Sequence, residues 1–250
     1  MPVFEVKDSI ALVTGANRGI GRAFVEALVQ AGAKKVYATA RRLESVQDLV
    51  DAHPDVVVGM GLDISKPDQV AAAASAASDV TLLVNNAGVA NGSFVLASDD
   101  TSGLRQDLEV NLLGTTEMIR AFVPVLESNG GGGIVVLNSV ASLINFPLFG
   151  GYSASKAALH SVTQGVRAEL APTKGILVTG VYPGPIDTDM AEPLDMPKEP
   201  PSAVADATLV GLAEGAEEVF PDAMAKELAA NFKSNWKAVE KEIAAMMVPV

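Results

Sequence analysis

The 250-residue chain contains no cysteine and only two histidines, His53 and His160. A disulfide framework and a thiolate zinc site are therefore excluded, as is a histidine-rich metal centre, and no metal is expected. Aromatic residues make up only 5% of the chain while hydrophobic residues make up 49%, with alanine abundant. That balance fits short side chains packing helices onto a sheet and argues against disorder. Basic residues are also scarce: 18 against 30 acidic ones, for a net charge of −12. Such a surface repels phosphate backbones and anionic lipid, so neither nucleic acid nor a membrane surface is an expected partner. No apolar run approaches the ~20 residues a membrane span needs. Glu5 and Asp8 interrupt any apolar stretch near the start that could serve as a signal peptide. A soluble cytoplasmic protein is expected.

The length suits a single α/β domain over residues 1–250 with a full core. Short apolar runs alternate with longer helical patterns. Strands are expected at Ser9–Val13, Lys35–Ala40, Val56–Leu62, Val80–Val84, Gly133–Ser139 and Leu177–Tyr182. Helices are expected after the first strand through about Ala31, then at Glu44–Ala52, Pro67–Ser78, Gly103–Ser128, Gly151–Leu170 and Ala223–Met246. Strands separated by helices imply a parallel sheet covered on both faces. Asp187–Ser202 breaks the alternation, because Pro193, Pro197, Pro200 and Pro201 oppose regular structure. A long irregular segment in a compact domain reads as a lid, here about 187–205. In the last helix Leu228, Phe232 and Trp236 fall roughly in line, a stripe suited to core or subunit packing.

Thr14-Gly15-Ala16-Asn17-Arg18-Gly19-Ile20-Gly21 follows the first strand and opens the first helix. Glycines at 15, 19 and 21 make a turn free of side chains, through which backbone N–H groups reach a pyrophosphate at a helix N-terminus. The end of the second strand then selects between nicotinamide dinucleotides. An NAD enzyme carries a carboxylate there for the ribose hydroxyls. This chain has Arg41 and Arg42 instead, with no acid until Glu44. A guanidinium matches a 2′-phosphate with bidentate geometry, so Arg41, with Arg18 approaching from the glycine loop, points to NADP(H).

Tyr152 and Lys156 stand four residues apart at the start of a helical segment, which puts both on one face. A free phenol has a pKa near ~10, and bringing it to neutrality needs about three units, or about 4 kcal/mol. One positive charge about 4 Å away at an effective dielectric near 20 supplies roughly that amount. The pair is thus expected to be a tuned proton donor.

Taken with Asn85-Asn86-Ala87-Gly88, these motifs resemble the short-chain dehydrogenase/reductase family, over about Ser9 to Thr188. The resemblance implies a Rossmann-like three-layer fold with a seven-stranded parallel sheet, the seventh strand near Glu217–Phe220. It implies hydride transfer between a nicotinamide and an alcohol or carbonyl. Tyr152 matches the family's acid-base tyrosine, and Lys156 the lysine that lowers its pKa and holds the nicotinamide ribose. Ser139 matches the serine that hydrogen-bonds the substrate oxygen, ranked above its neighbours Asn138 and Ser142 on spacing. Asn111 matches the asparagine that anchors a water leading to the lysine. Gly15, Asn17, Arg18, Gly19, Ile20 and Arg41 would hold the cofactor's phosphates, and Asp63 its adenine. Asn85 would open its motif beside the ribose and stabilise the central sheet, with Ala87 and Gly88 also meeting the cofactor. Pro183, Gly184, Ile186 and Thr188 would meet the carboxamide and begin the lid. His160 is expected to be structural.

The substrate expected is a small ketone or aldehyde. The pocket would be largely apolar, built from Phe94, Val95, Leu143, Ile144, Phe146, Leu148 and Phe149 with Met190 and Met196. The alternatives are a 3-oxoacyl-carrier-protein reductase, for which Lys198 is the one basic residue near the entrance, and a non-catalytic NADP(H)-binding sensor. The resemblance also implies a homodimer or homotetramer built through Gly103–Ser128 and Gly151–Leu170.

Overall fold

The computed structural model describes residues 2–92, 94–170, 175–192 and 194–247; Pro193 of the expected lid lies outside them. Strands β1 (Ile10–Val13), β2 (Lys35–Ala40), β3 (Val57–Gly61), β4 (Leu82–Asn85), β5 (Gly132–Leu137), β6 (Ile176–Val181) and β7 (Glu218–Val219) form one sheet. Every pairing is parallel, in the order β3-β2-β1-β4-β5-β6-β7. The helices between them are α1 (Gly19–Gln30), α2 (Gln47–Ala52), α3 (Pro67–Ala76), α4 (Ser102–Asp107), α5 (Thr115–Ser128), α6 (Gly150–Leu170), α7 (Pro201–Glu214) and α8 (Ala223–Met247). This is the Rossmann-like three-layer arrangement.

Because helices cover both faces, the central strands are apolar on both sides: every residue of β4 and β6 is buried. One face packs Phe24 and Leu28 of α1 beside Val204 and Leu212 of α7. The other packs Met118, Phe122 and Leu126 of α5 beside Leu159 of α6. Phe24, Leu28, Phe122 and Leu126 are 0% exposed, and each such burial stabilises the fold by roughly 1.5–3 kcal/mol. Among the described residues, no helix is long and apolar enough to cross a membrane.

The strand order places the site. From β1 the chain moves outward to β2 and β3, then returns to lay β4 on the opposite side of β1. The connections that follow these strands diverge, and a crevice opens at the carboxyl ends of β1 and β4.

Three elements depart from expectation. The stretch expected as one helix over Gly103–Ser128 is α4, then a π-helical segment over Leu108–Gly114, then α5. Pro201 starts α7, where a missing N–H at the first helical position costs nothing, so regular structure begins inside the segment expected to be irregular. Finally, α8 is broken at Asn235 (φ −158°, ψ 76°), whose side chain accepts from the Ala238 N–H at 3.1 Å and so caps the second half. The break takes Trp236 out of the apolar stripe and leaves it 55% exposed, while Val239 and Ile243 turn inward onto Val140 and Ile144.

Candidate active site

A cavity of about 1760 Å³ runs along the carboxyl ends of the strands. Pockets for one drug-sized ligand span roughly 300–1,000 Å³, so there is room for a dinucleotide and a second small molecule. Gly15, Asn17, Arg18, Gly19 and Ile20 line one end. Gly15 holds φ at +66°, a left-handed turn that directs the chain into α1. Gly21 allows the helix to press onto that turn: a Cβ there would lie 2.2 Å from the Gly15 carbonyl oxygen. α1 begins without a side-chain cap and without an acid in its first turn. Its first N–H groups are therefore left for an anionic ligand, which fits the pyrophosphate of a dinucleotide.

Arg41 and Arg42 line the cavity just beyond β2, and Asp63 lines it beyond β3. Asp63 Oδ1 accepts from both the Ser65 N–H at 3.0 Å and its hydroxyl at 2.8 Å. Arg18 reaches across the cleft to an ion pair with Asp189 on the lid. Asn85, expected beside the ribose, is instead buried at the end of β4 and does not line the cavity. The lining residue is Asn86, whose Nδ2 donates to the carbonyls of Thr14 at 2.8 Å and Gly15 at 3.2 Å. In a parallel strand, consecutive side chains point to opposite sides, and the spacing of the motif did not decide which asparagine faces the cleft. Ala87, Gly88, Pro183, Gly184, Ile186 and Thr188 all border the cavity. Asp222, absent from the sequence reading, accepts from the Gly184 N–H and the Ala225 N–H, both at 2.8 Å, and so ties the Pro183-Gly184 turn to the start of α8. Its place before a helix after Pro221 is an N-cap pattern that could have been noticed.

Ser139, Tyr152 and Lys156 all line the cavity. Ser139 follows β5 and caps a short 3-10 turn, its Oγ accepting from the Ala141 N–H at 3.1 Å while donating a long bond to the Pro183 carbonyl at 3.5 Å. Ser142 is spent in the same turn, accepting from the Ser139 N–H at 3.2 Å. Asn138 is buried, with Nδ2 directed at Val136 O and Thr163 Oγ1. Asn111 lies behind the wall in the π-helical segment. It accepts from the Val89 N–H at 2.8 Å and donates to the Val89 carbonyl at 2.8 Å and the Ser155 hydroxyl at 2.9 Å. His160 bonds Tyr182 through Nδ1 at 2.7 Å, away from the cavity.

The electrostatics correct the expected tuning. Lys156 Nζ donates to the Leu137 carbonyl at 2.5 Å and sits 5.7 Å from the centre of the Tyr152 ring. Burial pushes the phenol up to about 12; the Ser139 side chain pulls it down, and the Asp107 carboxylate pushes it further up. Burial also pushes Lys156 down to about 8, against the pull of Asp107. Desolvation disfavours the phenolate here, so the phenol is protonated at neutral pH.

The cavity lining also includes apolar side chains. Phe146 and Phe149 belong to it, with Met190, Leu194 and Met196 from the lid. Phe94, Val95, Leu143, Ile144 and Leu148, also expected there, do not. Val95 is 64% exposed, and Ile144 is covered by α8. The second half of α8 supplies Ile243 to the wall, a contribution that depends on the break at Asn235.

The sequence profile of the short chain dehydrogenases matches residues 9–199. The chain belongs to the short-chain dehydrogenase/reductase family, oxidoreductases that bind a nicotinamide cofactor and act on small molecules. A short chain dehydrogenase of Burkholderia cenocepacia, solved in complex with NADP, is 41% identical, with a TM-score of 0.91 over 98% of this chain and 100% of that one. A family member from Burkholderia phymatum, in complex with NAD, is 27% identical with a TM-score of 0.84 over 96% of each chain. The 3-oxoacyl-(acyl-carrier-protein) reductase FabG of Vibrio cholerae is 31% identical over 76% of this chain and 79% of its own length.

Proposed function

We propose that the protein is an NADPH-dependent reductase of a ketone or aldehyde with an apolar body. The observation that carries this reading is the lining of one cavity by Ser139, Tyr152 and Lys156, a phosphate cradle and apolar side chains. NADPH, when bound, supplies the hydride that reduces the carbonyl carbon. Ser139 Oγ, whose bond to Pro183 is long at 3.5 Å, turns to donate to the substrate oxygen. Tyr152 gives its proton to that oxygen. A phenol raised to about 12 is a proton donor over the whole neutral range. Lys156 stabilises the negative charge that develops as the proton leaves. Asn111 acts from behind the wall, holding Val89 and Ser155 so that α6 keeps its distance from the strand ends.

Preference for NADPH over NADH rests on Arg41 and Arg42 at the end of β2 and on Arg18 opposite them, with Glu44 outside the cavity. The 41% identical neighbour solved with NADP supports the same choice. A carrier-protein reductase is disfavoured by the lid: Asp187, Asp189, Glu192, Asp195 and Glu199 surround the single Lys198 and would repel an acidic carrier.

The test is NADPH oxidation with a panel of ketones and aldehydes, with chiral analysis of the alcohols formed. Tyr152→Phe is expected to bind NADPH as the wild type does and to lose most turnover. Turnover retained in the folded variant would remove Tyr152 as the donor. NADPH binding without turnover of any carbonyl would favour a sensor.

A further inference from the structure

Asp222 stands outside the cavity lining and is 6% exposed, yet both of its carboxyl oxygens are in use. Oδ1 accepts from the Ala225 N–H at 2.8 Å, the bond expected of an N-cap at the start of α8. Serine, threonine or asparagine would serve that purpose as well. A carboxylate differs from them in presenting two separate acceptor oxygens. The second, Oδ2, accepts from the Gly184 N–H at 2.8 Å, 38 residues earlier in the chain. The approach is close, since a Cβ on Gly184 would lie 2.8 Å from Oδ1.

The Gly184 N–H belongs to the same peptide plane as the Pro183 carbonyl. In a trans peptide these two groups point in opposite directions and turn together, and the described residues contain no cis bond. Asp222 holds one edge of this plane, and the turn after β5 uses the other. The Pro183 carbonyl accepts from the Val140 N–H at 3.0 Å and from Ser139 Oγ at 3.5 Å. A charged acceptor on the N–H also polarises the peptide and strengthens its carbonyl as an acceptor. α8 backs the same turn with apolar packing, because Ala225 and Leu228 share a cluster with Val140 and Ile144. Ser139, Val140, Pro183 and Gly184 all line the cavity, so a carboxylate outside it stands one rigid plane away from the serine hydroxyl.

We propose that Asp222 is a positioning residue of the reaction centre. Through the Pro183–Gly184 peptide it fixes the carbonyl on which Val140 and Ser139 are registered, and so sets where the Ser139 hydroxyl stands for the substrate oxygen. The effect on turnover rests on Ser139 donating to that oxygen, as in the function proposed above; the effect on the peptide does not.

Asp222→Ser keeps a helix cap and removes the second acceptor. Amide hydrogen exchange of the 15N-labelled full chain, followed by NMR, reads the peptide directly. Gly184 and Val140 are expected to exchange about tenfold faster or more in the variant, and Ala225 less than about threefold faster. A side chain that merely caps α8 would leave Gly184 and Val140 at their wild-type rates, and that result overturns the proposal. If Asp222→Ser does not fold, Asp222→Thr takes its place. Exchange of Gly184 in the wild type at the rate of an exposed amide overturns the proposal without any variant.

Asp222→Ser is also expected to lower kcat for carbonyl reduction about tenfold or more, but no more than about twofold where Ser139 is already replaced in Ser139→Ala. A general loss of structure would act alike in both backgrounds, so equal factors overturn the route through Ser139. Absence of carbonyl turnover by the wild type would sink the proposed function and leave the exchange rates to decide the role of Asp222.

Discussion

Replacing Lys156 with methionine isolates the cost of burying an ammonium. The residue is 4% exposed, and burial holds its pKa down to about 8 against an ordinary 10.5. Below pH 8 the folded and unfolded chains both carry the proton, and the folded chain bears the whole desolvation cost. Between pH 8 and 10.5 the unfolded chain still binds the proton while the folded chain has released it, so stability rises with pH. That interval corresponds to roughly 3 kcal/mol at about 1.4 kcal/mol per unit, most of which falls between pH 7 and pH 10. Methionine nearly preserves the length and apolar stem and removes the titrating group. The bond to Leu137 and the counter-charge for Asp107 are lost at both pH values and cancel in the difference. Urea unfolding followed by far-UV circular dichroism at pH 7 and pH 10 measures the free energies for both proteins. The wild type is expected to gain roughly 2–3 kcal/mol more than Lys156→Met over that range. Parallel pH dependence in the two proteins would show that the amine is not desolvated in the folded state, and the buried-ammonium account would fall with it.

Two further outcomes follow from the cradle. Gly21→Ala places a Cβ 2.2 Å from the Gly15 carbonyl and 2.5 Å from Asn86 Nδ2, so the turn must move. NADPH affinity, read by fluorescence titration, is expected to weaken tenfold or more, about 1.4 kcal/mol, and an unchanged affinity would take the phosphates away from this loop. Arg41→Asp is expected to lower the ratio of NADP to NAD efficiency at least tenfold in steady-state kinetics. A ratio that stays put would mean that Arg41 does not meet a 2′-phosphate.

Local pattern was enough for the sheet and the cradle. β2 runs from Lys35 to Ala40 as expected, and the other strands shift by only one or two residues, because buried parallel strands are written as continuous apolar runs. The glycines of the first turn are likewise a local requirement of backbone geometry. α7 starts at Pro201, inside the proline-rich segment, because a proline at a first helical position is compatible with a helix. The π-helical segment and the break at Asn235 leave no periodicity signal, since each is a single irregularity whose surroundings still read as helix.

The sequence by itself determined the family, the parallel α/β architecture and the residue types that could do the chemistry. These follow from short-range spacing: a glycine turn after a strand, and a phenol and an amine four residues apart. Only the tertiary structure decided the charge environment of those groups, because desolvation depends on what packs around a side chain from distant parts of the chain. It set the Lys156 ammonium on the Leu137 carbonyl and brought Asp107 against Gly151 from another helix. It also turned Asn86 rather than Asn85 to the cleft and delivered Ile243 to the cavity wall. A spacing of four residues aligns Tyr152 with Lys156, while burial by packing from distant parts of the chain pushes the tyrosine up to about 12.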